Sequence, residues 1–433
     1  MRKELPFSSA PTLGFTNHRK YPGRETYVES RLSDVSIRRG SGGEMSAMKS
    51  LESNAKFHAV LIALVALGTM VMAFASQAAS PGWIDASPHR IRMVTVAPGV
   101  QLETLDWGGS GRPIVLLAGL GNTAHIFDDL AMKLRAHYHV YGVTRRGFGK
   151  SSVPQDGYDT DRLADDVIGA LNALKLNRVV LVGHSIAGLE LASIGSRYPD
   201  RVAGLVYLDT TYLFDKDDKD LFGVAEWHRD LQALRSRLNA LEAAQNNPLP
   251  EVHHLLDSEW PHFQKDLELL LVAEDARPPF VPPGPSDLAS FAAFRAWFGR
   301  IQGFEPPEAE LRESFTSDAH GAITGQRSPQ WVSDKILAGQ KQYAGIVVPT
   351  LALFAVESMT NPNLPDDEKS RRAIDALVTI AKARATRRAE AFRHGTPDAK
   401  IVFVERTPHH MFLAKPDEVR QEIESFAAGL PKL

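Results

Sequence analysis

The chain contains no cysteine. That excludes a disulfide framework, a thiolate-bound zinc or iron–sulfur centre and a cysteine nucleophile. Charge of one sign is also scarce: 49 Lys and Arg against 52 Asp and Glu give a formal net charge of −3 over 433 residues. A near-neutral chain lacks the basic footprint of a nucleic-acid binder, so no nucleic-acid partner is expected. No H-E-x-x-H or comparable ligand spacing occurs, so no metal and no cofactor are expected. The 43% hydrophobic content is ordinary for a globular protein and supports a sizeable core.

Long apolar runs are scarce too, with one exception. Residues 59–75 read AVLIALVALGTMVMAFA, without a charge. Lys49 and Lys56 precede them and Ser76-Gln77-Ala78-Ala79-Ser80 follows. A basic start, an apolar middle and a small-residue end form the pattern of a signal peptide. Residues 48–79 are therefore expected to be cleaved after Ala78 or Ala79, and the mature protein to be exported, periplasmic or secreted. The alternative is an uncleaved N-terminal anchor, with residues 59–75 at the short limit of a membrane span; only then is a membrane partner expected. Residues 1–47 are polar and without helical or strand period, and are expected to be a mis-assigned upstream extension or a disordered tail. Met48 is the expected start, behind the purine-rich coding that Gly42-Gly43-Glu44 implies.

From about residue 90 short apolar runs alternate with helical patterns, which reads as an α/β fold with a mostly parallel sheet. Eight strands are expected, at residues 92–96, 101–107, 114–117, 139–143, 179–182, 205–208, 350–354 and 400–404. The last six are nearly continuous apolar runs, as strands covered on both faces should be. Residues 160–173 carry apolar positions at helical spacing. Residues 88–211 and 346–433 form the expected core. Between them, residues 212–345 are expected to be a mainly helical cap, with helical patterns at 225–244 and 260–273 and a proline-rich break at 277–285.

Residues 179–188 read VVLVGHSIAG: a buried strand, a tight turn at Ser185, then a helix. A serine held on such a turn needs small neighbours, because strand and helix backbones approach closely there. Gly183 and Ala187 meet that need, with Gly188 following. The helix N-terminus then favours negative charge developing beside the serine. Here the chain resembles the α/β-hydrolase superfamily, in particular bacterial serine hydrolases whose elbow reads Gly-His-Ser-x-Ala-Gly. The resemblance covers roughly residue 92 to the C-terminus, the cap excepted. It implies an eight-stranded sheet with helices on both faces and Ser185 as nucleophile.

The resemblance also implies the partners of Ser185. One oxyanion donor is the N–H after the nucleophile, Ile186; the other, by position, is that of Leu120 in Ala118-Gly119-Leu120-Gly121-Asn122. The basic residues of Arg145-Arg146-Gly147-Phe148-Gly149 are expected to be structural rather than an anion site. The general base follows the last strand, where His409 and His410 compete. In related sequences it stands seven residues before the Pro that opens the final helix, which selects His409 from Pro416 and leaves His410 as a satisfied loop histidine. The acid usually follows the seventh core strand, about nine residues past its Pro. From Pro349 that count reaches Ser358, so Glu357, one residue short, is favoured. Asp209, immediately after the sixth strand, is the rival.

The expected function is serine hydrolysis of a carboxylic ester or related acyl bond of a small molecule, through an acyl-enzyme. Ser185 argues against the branches that need a carboxylate nucleophile. The alternative is a non-catalytic, receptor-like member that binds a small molecule in the same pocket.

Overall fold

The computed structural model describes residues 83–210, 235–241, 243, 249–278, 281–357, 360–361 and 363–431. The extension at 1–47, the signal peptide or anchor at 48–79 and most of the helix expected at 225–244 lie outside them. All eight expected strands form. They are β1 (Arg90–Ala97), β2 (Val100–Gly108), β3 (Pro113–Leu117), β4 (His139–Val143), β5 (Val179–His184) and β6 (Val202–Leu208). After an insertion that carries the hairpin β7 (Phe315–Ser317) and β8 (Ile323–Gln326), they are completed by β9 (Thr350–Val356) and β10 (Lys400–Glu405). The sheet order is β1-β2-β4-β3-β5-β6-β9-β10. The β1–β2 and β2–β4 pairs are antiparallel and every later pair is parallel.

Parallel strands need crossover helices, and these cover both faces. On one face lie α2 (Thr160–Ala173), α3 (Ala187–Arg197) and the later helix Glu368–Gly395; on the other lie α1 (Asp128–Leu134) and the last helix, Pro416–Ala428. Side chains alternate between the two layers along each strand: Leu181, Tyr207 and Phe354 enter the first, Val180, Val182 and Leu353 the second. Each such aliphatic side chain, fully buried, contributes roughly 1.5–3 kcal/mol. The edge strand β10 departs from expectation. Only Val404 is fully buried in it, because no strand flanks its outer edge and its faces are only partly covered.

The described part of the insertion is mainly helical. Its longer helices are α4 (Trp260–Glu274), α5 (Phe291–Gln302), α6 (Glu308–Ser314) and α7 (Gln330–Ala338). The hairpin β7–β8 was not anticipated: its three- and four-residue strands are half-exposed and carry no apolar run. After β9 comes α8 (Glu368–Gly395), whose N-cap Asp367 accepts a hydrogen bond from the Ser370 N–H at 2.7 Å; the final helix Pro416–Ala428 is α9. Among the described residues no helix is long and apolar enough to cross a membrane.

Register decides what meets at the site. Leu117 pairs with Gly183, Gly183 with Tyr207, and Leu208 with Leu353. The carboxyl ends of β3, β5, β6 and β9 are therefore level, and the loops after them open on one edge of the sheet. In open parallel sheets that edge is where ligands bind.

Candidate active site

Ser185 sits where β5 ends and α3 begins, at φ +54°. A non-glycine residue pays for this left-handed conformation, and such strain concentrates at functional sites. The turn holds because its surroundings leave no alternative. The Ser185 N–H donates to the Leu208 carbonyl at 3.0 Å. A Cβ on Gly188 would lie 2.2 Å from Thr210 Oγ1, so only glycine lets the helix seat against the strand end.

The loop after β3 approaches the serine just as closely. A Cβ on Gly119 would lie 2.8 Å from His184 Nδ1 and 3.3 Å from Ser185 Cβ. Arg145 fixes the loop from below. Its guanidinium grips Glu190 of α3 through two bonds of 2.6 and 2.7 Å, and donates to the Ala118 and Gly119 carbonyls at 2.9 and 3.3 Å. Those carbonyls are thus turned toward the core. Among the described residues, the N–H groups of Leu120 and Ile186 donate to no backbone carbonyl. Arg146 is likewise structural, paired with buried Asp166 at 2.5 and 2.7 Å.

His409 follows β10, and the elbow itself positions it. The His184 ring, one residue before the serine, donates from Nε2 to the His409 carbonyl at 3.2 Å and lies 4.5 Å from the His409 ring. On its far side His409 Nδ1 lies 2.6 Å from Asp209 Oδ2. A carboxylate can only accept, so Nδ1 carries the hydrogen and Nε2 keeps its lone pair. No hydrogen bond among the described residues joins Ser185 Oγ to His409; such bonds often tighten only around substrate. His410 packs between the Asn122 amide oxygen, 3.3 Å from its Nε2, and the ring of Phe304 from the insertion. Burial and the neighbouring His409 push it down to about 3.

The carboxylate reached by the count from Pro349 is not the one bonded to the imidazole. Glu357 is near, with a carboxylate oxygen within 4.8 Å of donor atoms of both Asp209 and His409. The carboxylate hydrogen-bonded to the imidazole is nevertheless that of Asp209, at φ +48° directly after β6. Asp209 Oδ1 accepts from the Ala355 N–H at 2.9 Å and from the Arg388 guanidinium of α8. Burial works to raise the Asp209 pKa, but Arg388, the His409 bond and the Ala355 N–H outweigh it and hold the carboxyl below its usual range.

Two supporting residues escaped sequence reading. Arg388 sits in a charged, alanine-rich helix among several arginines, so only the tertiary contact marks it. Glu310 on α6 is buried, and its carboxylate accepts from the Asn122 amide at 3.0 Å, the Thr123 N–H at 3.1 Å and the Ser314 hydroxyl at 2.9 Å. Burial raises its pKa. A glutamate in an amphipathic helix normally faces water, and no pattern distinguished this one.

A family model described as alpha/beta hydrolase fold matches residues 112–249. The match covers about a third of the chain; with the sheet order and the elbow it defines the class at the level of architecture, an alpha/beta hydrolase fold. Among its relatives is a 2-(acetamidomethylene)succinate hydrolase of Mesorhizobium japonicum, 29% identical over 132 residues, which are 30% of this chain and 43% of that protein. A non-heme chloroperoxidase of Kitasatospora aureofaciens is 36% identical over 135 residues, 30% of this chain and 49% of that one. A bifunctional esterase/perhydrolase of Acinetobacter calcoaceticus is 35% identical over 118 residues, 27% and 43% respectively. The matched region thus spans less than half the length of each of these relatives.

Proposed function

We propose that this protein is a serine hydrolase that cleaves a carboxylic ester or related acyl bond of a small molecule. One observation carries the reading: the 2.6 Å bond from Asp209 to His409 Nδ1, on a loop tied to the strained Ser185 elbow. It leaves Nε2 as the base. Ser185 Oγ attacks the acyl carbon as Nε2 takes its proton, and the carbonyl oxygen gains charge between the Leu120 and Ile186 N–H groups. The collapsing intermediate expels the alcohol, which takes the proton from Nε2. Water then attacks the acyl-enzyme by the same route and frees the acid. Asp209 stays ionised and stabilises the imidazolium. A hydrolase and an esterase/perhydrolase among the relatives support the reaction class. The bond between His409 Nδ1 and Asp209 weighs against the receptor-like alternative, because a binding site has no need of an oriented imidazole.

A fluorophosphonate probe tests this directly. It should label the wild type and leave Ser185→Ala unlabelled, and p-nitrophenyl esters of increasing chain length should then rank the acyl preference. A folded wild type that neither labels nor hydrolyses any of them would favour the binding role. We also propose export, on the pattern of residues 48–79 alone; sequencing the N-terminus of the fractionated protein tests it, and a peptide from before Met45 would refute the Met48 start.

A further inference from the structure

Away from Ser185, the segment leading into β1 meets the start of α1 in a second cluster of polar side chains. Asp85 and His89 come from the segment, and His125 and Asp128 from the 3₁₀ turn Ala124–Phe127 and the residue after it. One donor atom from each of the four lies within 4.8 Å of the other three. His125 Nδ1 is 3.5 Å from Asp85 Oδ2. His89 Nε2 is 3.4 Å from Asp85 Oδ2, and its Nδ1 is 3.3 Å from Asp128 Oδ1. These separations are longer than the roughly 2.7–2.9 Å of a charge-assisted hydrogen bond. The His125 ring is about 1% exposed and that of His89 about 3%. Even so, both His125 nitrogens and His89 Nδ1 are buried without a hydrogen-bond partner. Orphaned ring nitrogens at such depth are costly and call for an explanation.

A cation supplies one. Bonds of about 2.0–2.1 Å to a tetrahedral zinc ion place neighbouring ligand atoms roughly 3.3–3.4 Å apart, close to the 3.5 Å between His125 Nδ1 and Asp85 Oδ2; His89 ligates through one ring nitrogen, so only one of its two separations is an edge of the site. The surrounding groups are arranged to match. Glu103, fully buried, has Oε1 3.6 Å from His125 Nε2, and its Oε2 accepts from the Thr144 hydroxyl at 2.9 Å. A proton on Nε2 facing Glu103 leaves the Nδ1 lone pair directed into the cluster, which is the usual support for a ligating histidine. The Ser87 N–H occupies Asp85 Oδ1 at 2.9 Å and leaves Oδ2 free. Asp128 Oδ1 is oriented by the Trp107 indole and the Ser87 hydroxyl, each at 2.8 Å.

We propose that Asp85, His89, His125 and Asp128 form a structural binding site for a divalent transition ion of the zinc class. Two imidazoles and two carboxylates suit such an ion, whereas calcium and magnesium prefer six or more oxygens. Four protein ligands leave no open position, so the role is structural rather than catalytic. The ion ties the chain ahead of β1 to the turn that directly follows the oxyanion loop. Sequence spacing hid the site, because its halves lie some thirty-six residues apart. The rival occupant is a proton: burial opposes charge on His125, but the Asp85 and Glu103 carboxylates prevail and raise it to about 10.

The test separates the two. The full chain is purified without chelator, and its zinc is measured by plasma mass spectrometry. Thermal unfolding is then followed after chelation and after back-titration with zinc sulfate. The site predicts one zinc per chain, and a Tm that falls on chelation and recovers with zinc. His89→Gln and Asp85→Asn should lose the zinc and its effect on Tm, while Glu357→Gln, in the only other grouping of potential ligands among the described residues, keeps both. A folded wild type with neither stoichiometric zinc nor a zinc-dependent Tm overturns the proposal. So does zinc retained in both variants. Should either variant fail to fold, the wild-type chelation and back-titration decide.

Discussion

Arg388 and Asp209 show how much of the candidate chemistry rests on one contact. The guanidinium opposes protonation of Asp209, whose other oxygen meets the imidazole. Asp209 has a depressed folded pKa, so its ionised state is present above the unfolded value and lost as pH falls through the folded one. Removing the cation eases proton uptake by Asp209, which must stay ionised to hold the imidazolium. Arg388→Gln should therefore move the acid limb of the kcat/KM profile to higher pH, by about one unit if the contact supplies about 1.4 kcal/mol. An unmoved limb would mean that Arg388 only packs. Asp209→Asn should lower kcat by about a thousandfold or more, since an amide lets the imidazole adopt the wrong tautomer, while Glu357→Gln should lower it far less. The sequence made Asp209 visible only as a rival. Counting from Pro349 looks for the carboxylate beyond β9, whereas here the left-handed turn after β6 brings Asp209 to the imidazole.

At the scale of elements, the sheet was legible because strands buried on both faces must be apolar throughout, and helices between them must alternate. The elbow was legible because close backbone approach leaves few residue choices. The insertion was legible only in outline: the helical pattern at 260–273 coincides with α4, but the hairpin and the contacts of α6 are set by tertiary packing rather than by periodicity. Glu310 is the instructive case: α6 reaches down from the insertion and accepts from the Asn122 side chain and the Thr123 N–H at the end of the oxyanion loop. Glu310→Ala leaves those buried donors without partners, at a cost of about 1–3 kcal/mol. The expected readout is a Tm lowered by several degrees, with kcat reduced more than KM is raised, because the loop carries the Leu120 N–H. A variant with normal Tm and kcat would show that the loop holds its shape without the insertion.

Across the whole molecule, the candidate site also shapes stability. His184 is buried and His410 half-buried beside the elbow. Burial first, and the neighbouring histidines second, hold His184 well below its usual value and His410 down at about 3. Both therefore stay neutral in the folded protein while the unfolded chain takes up protons near pH 6.5. The sign follows: their contribution is fully present above pH 6.5 and drains away as pH falls toward the folded values. Depressed carboxylates such as Asp209 join only below their own unfolded range near pH 4. Between pH 6.5 and 4.5 the two histidines should thus drive a loss of stability, each costing up to about 1.4 kcal/mol per pH unit, offset in part by Glu310, whose raised pKa lets the folded protein take up a proton there. Urea unfolding of the wild type across that window should show stability falling with a slope of up to two protons. In His410→Gln, whose amide can still reach the Asn122 side chain, the slope should fall by up to one. Equal slopes in the two proteins would mean that His410 takes up its proton without unfolding. The imidazole layer under the active site would then be wet rather than sealed by Phe304 and the insertion.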